Sequence, residues 1–246
     1  MNISILIPTR HRPHNVLRLV ESIIKTSSGI NGLELLFFVD LDDKETWDLL
    51  PLLEDKMKRL IYSAKGYIKF ISSADDPKIH YNRWWNFLWK HASGDIFMQG
   101  GDDLVFSTEG WDKAVVKAFE SYPDRMSVVY CNDGSCDSHI RATHPFLSRE
   151  WCNLLGYFQP TIFDGAYNDT WITELGKLTG RLVHLDNYLI DHMHVDFGKS
   201  SNDEVYDRQR QACREQDSRK IFQDTLPVRQ KDAQKILDYI NQFKTL

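Results

Sequence analysis

Apolar residues in this chain fall into short unbroken runs that alternate with stretches of helical spacing. Residues 3–7 form a continuous β-prone run closed by Pro8, the pattern of a strand covered on both faces. Between residues 13 and 26, Val16, Leu19, Val20, Ile23 and Ile24 recur at helical spacing before Ser27, Ser28 and Gly29 break the pattern. Residues 33–39 (LELLFFV) are a second buried strand, ending at Asp40-Leu41-Asp42-Asp43. A helix is expected over residues 45–60, a third strand over 67–71, and an aromatic-sided helix over 81–92, closed by Ser93-Gly94. The fourth strand, 95–99, delivers Gly100-Gly101-Asp102-Asp103.

Farther on, the spacing predicts a helix from Trp111 to about Tyr122 and a strand over 127–131. Residues 132–160, rich in Asp, Ser, His and Pro, read as irregular. A loop then feeds a helix that stops at Gly180, and residues 181–190 read as a strand running into His192-Met193-His194. From Asn202 the tail is charged and helical, split in two by Pro227, with Ile236, Ile240 and Phe243 on one face that packs on the body. Strand–helix–strand order of this kind makes a mainly parallel, Rossmann-like α/β sheet flanked by helices, with a C-terminal helical segment. Carboxylates at the ends of strands two and four stand where such sheets bind ligands.

The 246 residues suffice for one large α/β domain, and 42% apolar content can fill its core. A formal charge of −5 argues against a strong non-specific grip on nucleic acid or anionic membrane. Aromatic content is high at 12%; most of it belongs in the core, and some faces could stack on sugars or bases. Four cysteines without a C-x-x-C pair fit reduced thiols. With no apolar run long enough to span a bilayer, the chain reads as cytoplasmic and soluble.

Two adjacent carboxylates at a strand end are more than a turn requires. They repel unless a cation neutralises them, and Mg²⁺ or Mn²⁺ takes one or two carboxylates plus phosphate oxygens. His192 and His194, two apart on a strand, share a face and could add an imidazole nitrogen. Lys199 follows and could meet a phosphate.

Together these residues resemble the GT-A-type nucleotide-sugar glycosyltransferases, close to the large family whose first strand reads like ISILIPTR. Pro8, Thr9 and Arg10 match the family's first nucleotide-contacting loop, and Asp40 its base-recognising carboxylate. Trp85-Asn86, residues 92–95, Gly101-Asp102-Asp103 and Trp111-Asp112 match the stretch around its D-x-D metal motif. Asn168-Asp169-Thr170-Trp171 falls at the family's catalytic carboxylate, and His194 with Gly198-Lys199 resembles late metal and phosphate elements of short, often phage-encoded members.

The resemblance implies a nucleotide-sugar half over residues 1–105, an acceptor and catalytic half over 106–200, and packed C-terminal helices over 201–246. It implies transfer from a nucleotide-sugar, a UDP-sugar or similar, to a hydroxyl with inversion. The donor would touch Pro8, Thr9, Arg10, Asp40, Asn86, Asp102 and Lys199, and Mn²⁺ or Mg²⁺ would rest on Asp103 with His194 or, less, His192. Because Gly101 replaces the usual first Asp, Asp102 is assigned nearer the ribose. Asp169 would be the base, ionised by its helix N-terminus. The acceptor is a saccharide or glycan, or a 5-hydroxymethylpyrimidine in DNA. The alternatives are a nucleotidyltransferase, though PTRHRPHN has no glycine for a phosphate loop, and a non-catalytic carbohydrate-binding protein.

Overall fold

In the computed structural model, which describes residues 1–58, 66–72, 81–164 and 166–243, β1 (Ile3–Thr9) and β2 (Leu33–Val39) are buried at every position. Neither has a solvent face, which is why both read as unbroken apolar runs. Alternate residues serve opposite cores: Ile5, Ile7, Leu35 and Phe37 face one, Leu6, Leu36 and Phe38 the other. They pair in parallel, from Ile3 beside Leu33 to Thr9 beside Val39. β3 (Gly66–Ile71) extends the sheet past β2 and β4 (Ile96–Gln99) lies on the other side of β1, both parallel.

Beyond β4 the strand directions mix. β5 (Leu104–Phe106) follows β4 in sequence but lies at the far edge, antiparallel to β8 (Leu182–His192). β6 (Val128–Asn132) runs parallel to β8, and β7 (Phe146–Ser148) runs antiparallel to both β4 and β6. The described strands take the order β3-β2-β1-β4-β7-β6-β8-β5.

On one face α1 (Pro13–Thr26) buries Val16, Leu19, Val20 and Ile23 at the expected spacing. α2 (Lys44–Trp47) and α3 (Leu50–Lys58) replace the single helix expected over 45–60. The break lies at residues 48–49, where Pro51 restarts the helix: it is tolerated in a first turn, where its missing N–H needs no partner. Leu60, the expected helix end, lies outside the described residues. α4 (Tyr81–His91) covers the other face, and α5 (Trp111–Glu120) returns to the first, burying Trp111, Val115 and Phe119.

Residues 132–160 are more regular than expected, holding β7 and α6 (Arg149–Leu155). Both are too short to leave a periodic signature, but their boundaries have local causes. Ser148 Oγ accepts from the Trp151 N–H, and Gly156 ends the helix in the left-handed region. α7 (Asn168–Thr179) follows. The tail forms three helices rather than two: α8 (Glu204–Glu215), α9 (Ser218–Asp224) and α10 (Leu226–Phe243). Asp217 caps α9, and Pro227 sits in the first turn of α10. Ile236 and Ile240 are buried as expected, but Phe243 is 38% exposed and rests on Tyr239 instead of the core. No helix among the described residues is long and apolar enough to cross a membrane. The four cysteines are free.

Gly100 shows how tightly β4 delivers the acidic pair. A Cβ there would lie 2.8 Å from Ile7 Cγ1, 2.9 Å from Ile5 Cγ2 and 2.9 Å from the Leu6 carbonyl oxygen. Gly100→Ala is therefore expected to destabilise the fold by about 1–3 kcal/mol, the usual range for overpacking. Urea denaturation measures it, and an unchanged midpoint contradicts the close approach.

Candidate active site

The register of β5 on β8 assembles the first cluster. Leu104 pairs with His192, and the Met193 N–H donates to the Asp103 carbonyl at 2.8 Å. This sets the His192 ring beside the Asp103 carboxylate, with Nε2 3.3 Å from Oδ2. Past the strand, His194 caps a 3-10 turn, Val195–Phe197, its Nδ1 accepting from the Asp196 N–H. Ligand atoms of Asp103, His192 and His194 all lie within 4.8 Å of one another.

Asp102 and Asp103 are 4% and 7% exposed, so neither is neutralised by water. Each carboxylate has its own partners. Asp102 accepts from Thr9 Oγ1 at 2.7 Å and from Arg12 Nη1 at 3.0 Å. Asp103 accepts from His192 and from the Tyr206 hydroxyl at 3.1 Å. Burial pushes the Asp102 carboxyl up to about 6, against the opposing charge of Arg12. Burial pushes Asp103 the same way, but the hydrogen bond and charge of His192 outweigh it and hold Asp103 below the ordinary carboxylate range. His192 is raised in turn, Asp103 overcoming the burial of the imidazole.

The third partner set comes from the C-terminal segment. Arg12 also donates through Nε and Nη2 to Asp203, at 2.7 and 2.6 Å, and its guanidinium lies 4.1 Å above the Tyr206 ring. Asp203 caps α8 by accepting from the Tyr206 N–H. One arginine from the loop after β1 thus ties α8 to the acidic pair.

These groups line a cavity of about 950 Å³. Its far wall is α7 and the segment before β7. Asp169 opens that wall, accepting from the Thr170 N–H at 2.6 Å, with its Oδ2 3.7 Å from Arg141 Nε. Burial raises its pKa despite the opposing charge of Arg141. The direction is opposite to the one expected from the helix N-terminus: Arg141 and the Thr170 hydrogen bonds do not make up for lost solvent. His144 also lines the cavity, its Nδ1 3.1 Å from the Gln99 carbonyl oxygen, and burial lowers its pKa to about 4.

Of the residues singled out in the sequence, Pro8, Thr9, Arg10, Asp102, Asp103, Asp169, His192 and His194 meet in this cavity. Asp40 is not in its lining; Arg10 holds it at 2.6 Å while pairing with Asp42. Asn86 and Lys199 also stand outside the lining. The Asn86 amide bonds the Gln159 carbonyl and accepts from the Phe158 N–H, stapling α4 to the segment beyond α6. Lys199 is held by Asp191 at 2.5 Å and the Gly134 carbonyl at 3.3 Å. Arg12, Tyr206 and His144 were not foreseen. Each acts through contacts far along the chain, and the sequence marks none of them.

The cluster fits a divalent ion. A carboxylate and two imidazoles offer one charge and two neutral nitrogens, and an ion could replace the proton between His192 and Asp103.

Neither a protein-family model nor a curated protein sequence matches the chain. Solved structures do. S. aureus TarS aligns with a TM-score of 0.59 at 14% identity over 80% of this chain. The mannosyltransferase PcManGT from Pyrobaculum calidifontis, in complex with GDP-Man and Mn²⁺, gives 0.59 at 14% identity over 77%. S. aureus TarS 1-349 in complex with UDP-GlcNAc gives 0.58 at 13% identity over 87%. The chain has the GT-A fold. It spans 38%, 56% and 66% of the lengths of these three structures.

Within this GT-A domain, Arg12 is the cation on which Asp102 depends. Removing one partner of a buried pair costs about 3–5 kcal/mol. Arg12→Ala is expected to lose stability on that scale and to speed amide exchange in α8, with Asp102→Asn restoring part of it. A loss below about 1 kcal/mol, with exchange in α8 unchanged, contradicts the clasp.

Proposed function

We propose that the chain is a metal-dependent glycosyltransferase moving a sugar from a nucleotide-sugar, a UDP-sugar or similar, to an acceptor hydroxyl with inversion. One observation carries this reading. The Asp103–His192–His194 cluster and Asp169 face the same cavity, at the strand ends of a GT-A fold. The complexes of TarS 1-349 with UDP-GlcNAc and of PcManGT with GDP-Man and Mn²⁺ support it.

Asp103, His192 and His194 would hold the ion, and their imidazole nitrogens favour Mn²⁺ over the oxygen-seeking Mg²⁺. When bound, the ion supplies charge neutralisation to the departing diphosphate. Pro8, Thr9 and Arg10, which line the cavity, would contact the nucleoside, with Asp40 held by Arg10 and Asp102 assigned to the ribose. Arg208 lines the cavity, as Lys199 does not, and would be the cation for phosphate, since Arg12 is taken up by Asp102 and Asp203. In the reaction, the bond from anomeric carbon to phosphate oxygen breaks and its electron pair leaves with the diphosphate. The acceptor oxygen forms the new bond from the opposite side and gives its proton to Asp169. A carboxylate whose pKa is raised toward working pH takes that proton more readily.

The lining carries six carboxylates and five Lys or Arg side chains, not a basic track. Aromatic faces such as Trp84, Tyr167 and Phe222 join them. Both features favour an uncharged saccharide acceptor over hydroxymethylated DNA. Transfer to DNA, with binding that weakens steeply as salt rises, contradicts that choice.

The test is a screen of UDP- and GDP-sugars, with and without Mn²⁺, against saccharide and hydroxymethylated DNA acceptors. Asp169→Asn is expected to lower transfer about 10²–10⁴-fold while leaving donor affinity intact, and NMR should show inverted product. Full activity in Asp169→Asn, or retained configuration, overturns the base assignment. Because Arg141 lowers the Asp169 pKa, Arg141→Gln should move the acid limb of the rate profile to higher pH. A downward shift contradicts the pairing.

A further inference from the structure

Among the described residues, five that line the cavity each have a side-chain nitrogen buried without a hydrogen-bond partner: Arg10 Nε, Arg141 Nε, His144 Nε2, Asn168 Nδ2 and His192 Nδ1. Arg10 is engaged on carboxylates through its Nη atoms, Arg141 through Nη2 and, at 3.7 Å, through Nε itself, and His192 belongs to the proposed metal cluster. His144 and Asn168 have no such account. A buried polar atom left unmatched is costly, so a group that enters the cavity is the natural partner for both.

Their chemistry says what kind of group. His144 Nδ1 faces the Gln99 carbonyl, which only accepts, so Nδ1 carries the hydrogen and Nε2 of the neutral ring presents a lone pair. Asn168 is 7% exposed, and its Nδ2 can only donate. One atom needs a donor and the other an acceptor. A hydroxyl provides both, whereas an ionised carboxylate or phosphate offers nothing to Nε2.

Position says which hydroxyls. The His144 ring meets His192 edge to face, with centroids 4.7 Å apart, beside the metal cluster. Its Cε1 is 3.9 Å from where a Cβ on Gly101 would lie, so His144 stands beside the glycine that precedes the acidic pair. Asn168 immediately precedes Asp169 at the start of α7. A sugar being transferred must lie between the diphosphate it leaves and the base that serves its acceptor, and both residues line the cavity that holds the candidates for metal and base.

We propose that His144 and Asn168 read hydroxyls of the transferred sugar, and that this sugar is uncharged rather than a uronate. The proposal rests on the glycosyltransferase reading above and adds its sugar selectivity. Calorimetric titration with Mn²⁺ tests it, using UDP, UDP-glucose, UDP-GlcNAc and UDP-glucuronate, with GDP and GDP-mannose as a second nucleotide series. The wild type should bind at least one uncharged sugar nucleotide more tightly than UDP-glucuronate.

His144→Ala and Asn168→Ala should each weaken that sugar nucleotide roughly five- to tenfold, the scale of one hydrogen bond, with the bare nucleotide within about twofold. His144→Gln, whose amide oxygen can still accept, should retain more of the sugar's contribution than His144→Ala. Thermal unfolding checks each variant, and Asn168→Ala alone decides if His144→Ala does not fold. Equal weakening of bare nucleotide and sugar nucleotide would assign these residues to the metal site or to folding and overturn the proposal. So would unchanged sugar-nucleotide affinity, or a preference for UDP-glucuronate. No nucleotide binding by the wild type is a different result, and it removes the glycosyltransferase reading itself.

Discussion

Two neighbouring carboxylates, each more than nine-tenths buried, dominate this structure. Side by side and out of water they repel, and each pushes the other toward protonation. The chain separates their burdens. Asp102 is neutralised by Arg12 from the loop after β1, and Asp103 is approached by His192 from the end of β8. That solution requires β5 to leave β4 and pair with β8 at the far edge of the sheet, with β7 and β6 between them. The mixed half of the sheet is thus the geometry that brings a histidine strand to an acidic strand end.

The C-terminal segment completes the arrangement. Asp203 and Tyr206, one turn apart at the start of α8, reach Arg12 and Asp103 respectively. Tyr206 is 3% exposed, and its ring also meets His194 edge to face at 4.7 Å. A helix that could have served only as packing therefore touches the cation of one carboxylate and two members of the Asp103–His192–His194 cluster. Its first turn links fold stability to the state of the site: a change in charge at Asp103 is felt directly by the hydroxyl of Tyr206.

The parallel half of the fold was legible because strands buried on both faces leave unbroken apolar runs, as in β1 and β2. β7 was not, since three residues carry no period, and α6 declares itself mainly through Ser148 and Gly156. The acidic pair and the two histidines could be read from residue type and two-residue spacing. Arg12 and Tyr206 could not, because their partners lie 90 and 103 positions away. Asn86 and Lys199 fit a motif by type, but sequence does not say which way a side chain points. Asp169 starts a helix, as its neighbours predict, yet burial raises its pKa where the helix N-terminus led us to expect a lowered one.

In the proposed function Asp103, His192 and His194 share one divalent ion with a nucleotide diphosphate. Pulsed electron paramagnetic resonance of bound Mn²⁺ reads both neighbours of that ion at once. With UDP or GDP present, the account predicts one Mn²⁺ per chain coupled to imidazole nitrogen and to phosphorus, and loss of the protein-bound signal in Asp103→Ala. Phosphorus coupling without nitrogen, or Mn²⁺ binding that survives Asp103→Ala unchanged, would contradict it.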